Sequence, residues 1–192
     1  MEKTFNEQES LRVITEMIEN TKSKFCNNSF FYLLWGWLVL IASAGNFLLV
    51  QIGYPYSWLP WPVLMIGGMI VSIVAGVRMG KKSKVITMFD NVMIYLWNGF
   101  LVTLFIILYV AAMGKLSWNI SNALIIALYG LGTFVSGGVL KFKPLIFGGV
   151  LSWVIAVATV YVPENYSLLM VTLSVTVTYL VPGYLLKFRK NG

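Results

Sequence analysis

The stretch MIGGMIVSIVAGVRMGKKS, residues 65–83, decides how this chain is to be read. Its second half, GVRMGKKS, sets glycines ahead of a lysine pair and a serine, as a phosphate-binding loop does. A Walker A loop needs G-x-x-x-x-G-K-[ST] between a strand and a helix. Here Gly76 and Gly80 are one residue too close, and Lys82 stands where the hydroxyl residue belongs. The run before it, 65–77, is unbroken apolar sequence that reads as helix. A different spacing is regular: Gly68, Ser72, Gly76 and Gly80 recur every fourth residue. Small side chains then line one helix face, and in lipid such a face lets another helix come close. The stretch reads as a membrane-crossing helix that reaches water at Arg78 and the lysines, not as a nucleotide site.

Composition supports this reading. Of 192 residues, 58% are hydrophobic and 11% charged, with mean hydropathy +0.80. Soluble domains carry about 25% charge, which a water-facing surface requires. Six apolar runs are near or above the roughly 20 residues that cross a bilayer as helix. They lie at about 30–50, 58–80, 91–113, 119–140, 144–162 and 166–187. The sixth includes VTLSVTVTYL, an alternation that resembles a strand. A spanning strand would have to close a barrel, and the other runs do not alternate, so helix is expected. Pro182 and Gly183 should kink it near its end.

The breaks between runs set the topology. GYPYSWLPWP (53–62), GKLSWN (114–119) and PENYS (163–167) carry or adjoin Tyr54, Tyr56, Trp58, Trp61, Trp118, Tyr161 and Tyr166. Aromatic rings with polar tips suit the headgroup layer, so these three loops are expected on one membrane face. The basic residues take the other face. Lys3, Arg12, Lys22 and Lys24 precede the first run, and Arg78, Lys81, Lys82 and Lys84 follow the second. Lys141 and Lys143 follow the fourth, and Lys187, Arg189 and Lys190 end the sixth, leaving only Lys115 opposite. The positive-inside rule then predicts cytoplasmic termini. The net charge of +7 is thus topological, and no nucleic-acid partner is inferred from it.

Ahead of the first run, NEQESLRVITEMIENTKSKF places Leu11, Ile14, Ile18 and Phe25 on one helical face, with Met17 beside them. Early acids (Glu7, Glu9) and late lysines (Lys22, Lys24) match the helix dipole. A cytoplasmic amphipathic helix is expected. It lies on the membrane or under the bundle, or offers a handle to a cytosolic protein or a second copy of the chain.

Internal similarity points to a repeat. LWGW (34–37), LWNG (96–99) and IFGG (146–149) recur in runs one, three and five, and SIVAG (72–76) parallels TFVSG (133–137). The pattern fits three parallel hairpins, a 2+2+2 arrangement.

Chemistry-bearing residues are few. There is no histidine and one cysteine, Cys26, so no ordinary zinc site or Cys/His dyad is available. The acids are Glu2, Glu7, Glu9, Glu16, Glu19, Asp90 and Glu164, none within a span. No catalytic, metal or cofactor site is expected, and the chain reads as non-enzymatic. What remains is neutral and polar. Ser72, Asn98, Thr133, Ser152 and Thr178 all fall about 10–13 Å from one end of their spans, at 1.5 Å per residue. Together they are candidates to line a cavity for a small neutral solute; alternatively each bonds a helix carbonyl. Asn46 is expected to tie helices together. A second small-residue ladder, Gly148, Ser152 and Ala156 in run five, joins Gly68, Ser72, Gly76 and Gly80 as expected packing faces. Gly132 and Ser136 do the same in run four, so runs two, four and five are expected to be interior or interface helices.

The order of an amphipathic helix, then NNSFFYLLWGWLVLIASAGNF (27–47), then five short spans and a basic tail resembles small uncharacterised bacterial inner-membrane proteins. The similarity is densest over 10–50 and is architectural elsewhere. It implies an all-α fold and an inner-membrane location, and carries no site residues.

The expected layout is a cytoplasmic helix over 1–28, a six-helix transmembrane bundle over 29–188 and a basic tail over 189–192. The expected function is an interaction or regulatory membrane component in the bilayer, with a cytosolic partner or as a homo-oligomer. The alternative is a channel or facilitator for a small neutral or apolar solute.

Overall fold

The computed structural model describes the backbone of residues 7–80 and 88–188, with side chains over 29–79 and 91–188. The tail 189–192, the lysines at 81, 82 and 84, and the surroundings of Gly80 lie outside the described residues. Every described element is helical: α1 (Glu7–Gln51), α2 (Pro60–Gly80), α3 (Met88–Ala112), α4 (Trp118–Val139), α5 (Lys143–Tyr161) and α6 (Glu164–Val175). A π-helical turn, Thr176–Leu180, then leads into α7 (Val181–Phe188). Six stretches are long and apolar enough to cross a membrane, and the sixth runs through α6, the π turn and α7 as Glu164–Phe188. The chain has the helices of a multi-pass membrane protein, close to the runs read from sequence. Hydrocarbon offers no partner for an unpaired backbone group, and a helix pairs its own.

Two features depart from the sequence reading. The amphipathic segment is not a separate helix. α1 has 45 residues, the last 23 of them the span Ser29–Gln51, and the backbone passes between the two parts without a break. No glycine or proline occurs before Gly36, so nothing in the chain interrupts the hydrogen-bond ladder there. The kink expected at Pro182 is instead absorbed upstream. The Val181 N–H bonds the Thr176 carbonyl, five residues back. Widening the turn in this way makes room next to a proline that cannot donate.

α4 and α5 form the tightest pair. A Cβ on Gly149 would lie 2.7 Å from the Gly130 carbonyl oxygen, and one on Gly137 would lie 2.7 Å from the Ile146 nitrogen. The two helices therefore meet backbone to backbone. Their connection is short, with Lys141 in the left-handed region (φ 51) and the Phe142 N–H closing on the Gly137 carbonyl at 2.9 Å. The sixth span packs on α5 through Gly148, where a Cβ would stand 2.9 Å from the Val177 carbonyl of the π turn. α1 lies on the other side of the sixth span, with Gly36 against Leu180 and Tyr179, and Gly183 against Leu33 and Tyr32. α2 approaches only α1, and α3 only α4, among the described helices.

The ladders divide accordingly. Gly148, Ser152 and Ala156 are all buried along α5. On α2 the ladder serves one contact. Gly68 is seated on Leu38 and Trp35, whereas a Cβ on Gly76 would meet nothing within 4 Å. Of the two places expected for it, interior or interface, α2 takes the second: it meets α1 and exposes Ile66, Ile70, Ile73 and Val77.

These joints differ in what a methyl group would meet. Gly149→Ala should lower unfolding stability in detergent micelles by about 1–3 kcal/mol, since backbone has to shift. Gly76→Ala should leave it unchanged or raise it by up to about 1 kcal/mol through helix propensity. Equal losses from both changes would contradict the packing described.

Candidate functional site

The five polar positions at one depth do not share one environment. Asn98 is exposed and donates to the Ile94 carbonyl of its own helix at 2.8 Å. Thr133 is fully buried and donates within α4 to the Tyr129 carbonyl at 2.8 Å. Thr178 likewise donates to the Ser174 carbonyl at 2.8 Å. These are hydroxyls and amides returning to helix carbonyls, which satisfies them without a neighbour. Ser72 Oγ is enclosed and meets no hydrogen-bond partner among the described residues.

Ser152 is the exception that joins helices. It donates to the Ile126 carbonyl of α4 at 2.9 Å and lies 2.7 Å from Ser174 Oγ on α6. A hydroxyl has one proton, so Ser174 is the donor in that pair. One serine on α5 thus holds both neighbours. Ser152 and Thr178 meet at Ser174, while Asn98 is on the outside of α3.

Other polar ties run toward the opposite end. Ser43 on α1 faces Thr172 on α6 at 2.8 Å. Asn122 donates to Ser167 Oγ at 2.8 Å, and Asn119 to the Val162 carbonyl at 3.0 Å. Trp153 donates to the Ala127 carbonyl at 3.1 Å. Asn46 joins α1 to the start of α2 when its amide is oriented by its neighbours: nitrogen to the Ser57 carbonyl, 3.0 Å, and oxygen to Trp61 Nε1, 2.9 Å. That matches its expected role.

The sequence reading missed an aromatic cluster that spans four elements. Tyr179 of the π turn has its ring centroid 5.7 Å from Tyr32, 6.3 Å from Trp97 and 5.5 Å from Tyr129. Trp97 lies 5.2 Å from Phe100, which stacks on Tyr129 at 5.7 Å. The rings join α1 to α3, whose described backbones approach nowhere within 8 Å. Nothing in the spacing of Tyr32, Tyr129 and Tyr179 along the sequence ties three distant helices together. No hydrogen bond to the Tyr129 or Tyr179 hydroxyl occurs among the described residues.

The two ends of the bundle differ in charge. Contacts of Gly183 with Tyr32 and of Gly137 with Leu145 gather the start of span one, the α4–α5 turn and α7 at one end. Lys141, Lys143 and Lys187 are exposed there, and α2 runs toward the same end with Arg78 in its last turn. The opposite end carries Tyr54, Tyr56, Trp58, Trp118, Tyr161 and Tyr166, all exposed. The α1 extension leaves from the basic end.

The chain matches no family model, no curated protein and no solved structure.

The roles given to Ser152 and Tyr179 separate by substitution. Ser152→Ala should cost about 1 kcal/mol of unfolding stability in micelles, for the interhelical bonds it removes. Tyr179→Phe keeps every ring contact and should stay within about 0.5 kcal/mol of the parent. Tyr179→Ala should lose about 3–5 kcal/mol, as other buried aromatic truncations do. A large loss in Tyr179→Phe would show that the hydroxyl is used.

Proposed function

We propose that this is a non-enzymatic component of a bacterial inner membrane that works by contact with another protein, through residues 5–25, ahead of the first span. The observation that carries this reading is the unbroken course of α1. A 45-residue helix with a 23-residue span leaves 22 residues ahead of the bilayer, about 33 Å of helix at 1.5 Å per residue. A structure of that reach has no role in closing the bundle. Both termini lie in the cytoplasm under this reading, because the basic residues gather at the end from which the extension leaves.

The finer architecture belongs to the same proposal. The six spans form three hairpins of common origin, a 2+2+2 arrangement, and their equivalent positions have since taken different environments. Trp97 is inside the aromatic cluster, whereas Phe147 is 70% exposed. Gly137 meets α5 closely, whereas Gly76 meets nothing.

A second reading, a facilitator for a small neutral or apolar solute, draws on the enclosed hydroxyl of Ser72 and the buried phenols of Tyr129 and Tyr179. Against it, Thr133, Ser152 and Thr178 already bond helix carbonyls.

Deletion of residues 1–25 separates the two. The contact reading expects the full chain, cross-linked in its own membrane, to recover a protein that the shortened chain does not, while solute flux in liposomes is the same for both. Undiminished recovery by the shortened chain would overturn it. Flux that Ser72→Leu or Ser152→Leu abolishes would favour the facilitator.

A further inference from the structure

α3 packs on one side only. Trp97, Phe100, Leu104 and Ile107 turn to the core, and α4 is the only described helix whose backbone it approaches. The opposite side carries Tyr95, Asn98, Val102, Phe105 and Tyr109, all exposed. Their alternating spacing of three and four residues sets them along one seam, with the period of a left-handed helix pair. Apolar side chains on such a seam need no cover but lipid. That is enough for α2, which turns Ile66, Ile70, Ile73 and Val77 outward.

It is not enough for Asn98. This residue stands well inside the span Asn91–Ala112, about 10 Å from its start at 1.5 Å per residue. One N–H of its amide is used within α3, on the Ile94 carbonyl. An amide, unlike a hydroxyl, has a second N–H and an oxygen besides. These have no partner among the described residues, and hydrocarbon supplies none. Among the described residues, Asn98 is the single exposed amide away from the ends of a span. Gly99 lies next to it, and a Cβ there would meet nothing within 4 Å, so another backbone has room to come close.

We propose that this face of α3 is the contact between two copies of the chain, related by a twofold axis along the membrane normal, with the two Asn98 amides bonded to each other. Depth, charge and the chemistry of an amide select this occupant. Every copy inserts with the same orientation, so a residue on a twofold seam meets itself at its own depth. An amide carries both donor and acceptor, and two of them complement each other by exchanging N–H···O bonds. No charged residue lies between 91 and 112, so two copies bring no like charges together on this seam. A different membrane protein would have to present a polar group at the same level, which a second copy does necessarily. This contact lies within the bilayer and does not depend on residues 5–25.

The test uses the full chain with Cys26→Ser, reconstituted in liposomes over a range of protein-to-lipid ratios. Val102→Cys places a thiol on the seam, one turn from Asn98, and Val157→Cys places one on the exposed side of α5 as a control. Oxidation is expected to give a disulfide dimer from Val102→Cys and none from Val157→Cys. Energy transfer between copies labelled at their N-termini measures association without a cross-link. Asn98→Leu should weaken that association about tenfold, the scale of an interhelical polar bond in lipid. Asn98→Gln, which keeps the amide, should weaken it less. Because Asn98 holds no neighbouring helix of its own chain, Asn98→Leu should leave the melting temperature of the dispersed monomer in detergent unchanged. A fall in that temperature would make Asn98 part of the bundle's own packing and overturn the proposal. So would copies that stay monomeric at every ratio, which would leave the face to lipid, or association indifferent to Asn98→Leu. A Val102→Cys yield no higher than that of Val157→Cys would count against it equally. Photocross-linking in the protein's own membrane that joins position 98 to a different protein, and never to a second copy, would also overturn it.

Discussion

The Gly130 carbonyl of α4 occupies the place where a side chain on Gly149 of α5 would begin, and the bundle is assembled outward from that contact. Lipid is as apolar as leucine, so burying leucine between two helices gains little over leaving it in lipid. Close approach of backbones is what holds such helices together. Nearly every joint in this chain has a glycine at it. Gly148 seats the π turn, Gly36 and Gly183 seat α1 on the sixth span, Gly68 seats α2 on α1, and Gly132 admits Phe100 of α3. The order of attachment follows: α4, α5 and the sixth span in the middle, α1 against them, α2 and α3 outside.

With backbones this close, hydroxyls on the facing sides reach carbonyls across the gap. Ser152 does so to α4 and, with Ser174, to α6. The polar residues of the interior divide between those that hold neighbouring helices and those, such as Thr133 and Thr178, that return to their own helix, and the aromatic cluster around Tyr179 fills a junction where the backbones of α1 and α3 stay apart. The helix that packs into the core through Tyr32 and Gly36 continues past the basic end without a break in its backbone. This links the interior to the proposed contact function.

Most of the fold was legible from sequence because a span is a matter of length and apolarity, which the chain states directly. Run 91–113 and the span Asn91–Ala112 agree to a residue or so. Partner choice was less legible. A four-residue spacing of small side chains reports a narrow face but not the helix that meets it, which is why Gly76 was expected to pack and Gly149 was overlooked. The boundary at 28/29 was drawn where polarity changes, but the backbone responds to glycine and proline, and neither occurs there. Five polar residues at equal depth suggested a common site, yet depth fixes only one coordinate. Helix rotation set Asn98 outward and Ser152 inward. The π turn had a visible cause in Pro182, though not a visible position.

The central claim is that α1 is one rigid helix from the core of the bundle to the end of its extension. Electron–electron dipolar spectroscopy between spin labels at positions 19 and 41, in a chain with Cys26 replaced by serine and reconstituted in nanodiscs, tests it directly. Twenty-two residues of unbroken helix put the labelled backbone sites about 33 Å apart, and a single narrow distribution near that value is the result expected. A helix that turned at residue 28 to lie along the membrane would bring them to about 24 Å by the same rise per residue, and a distribution centred there would contradict the account.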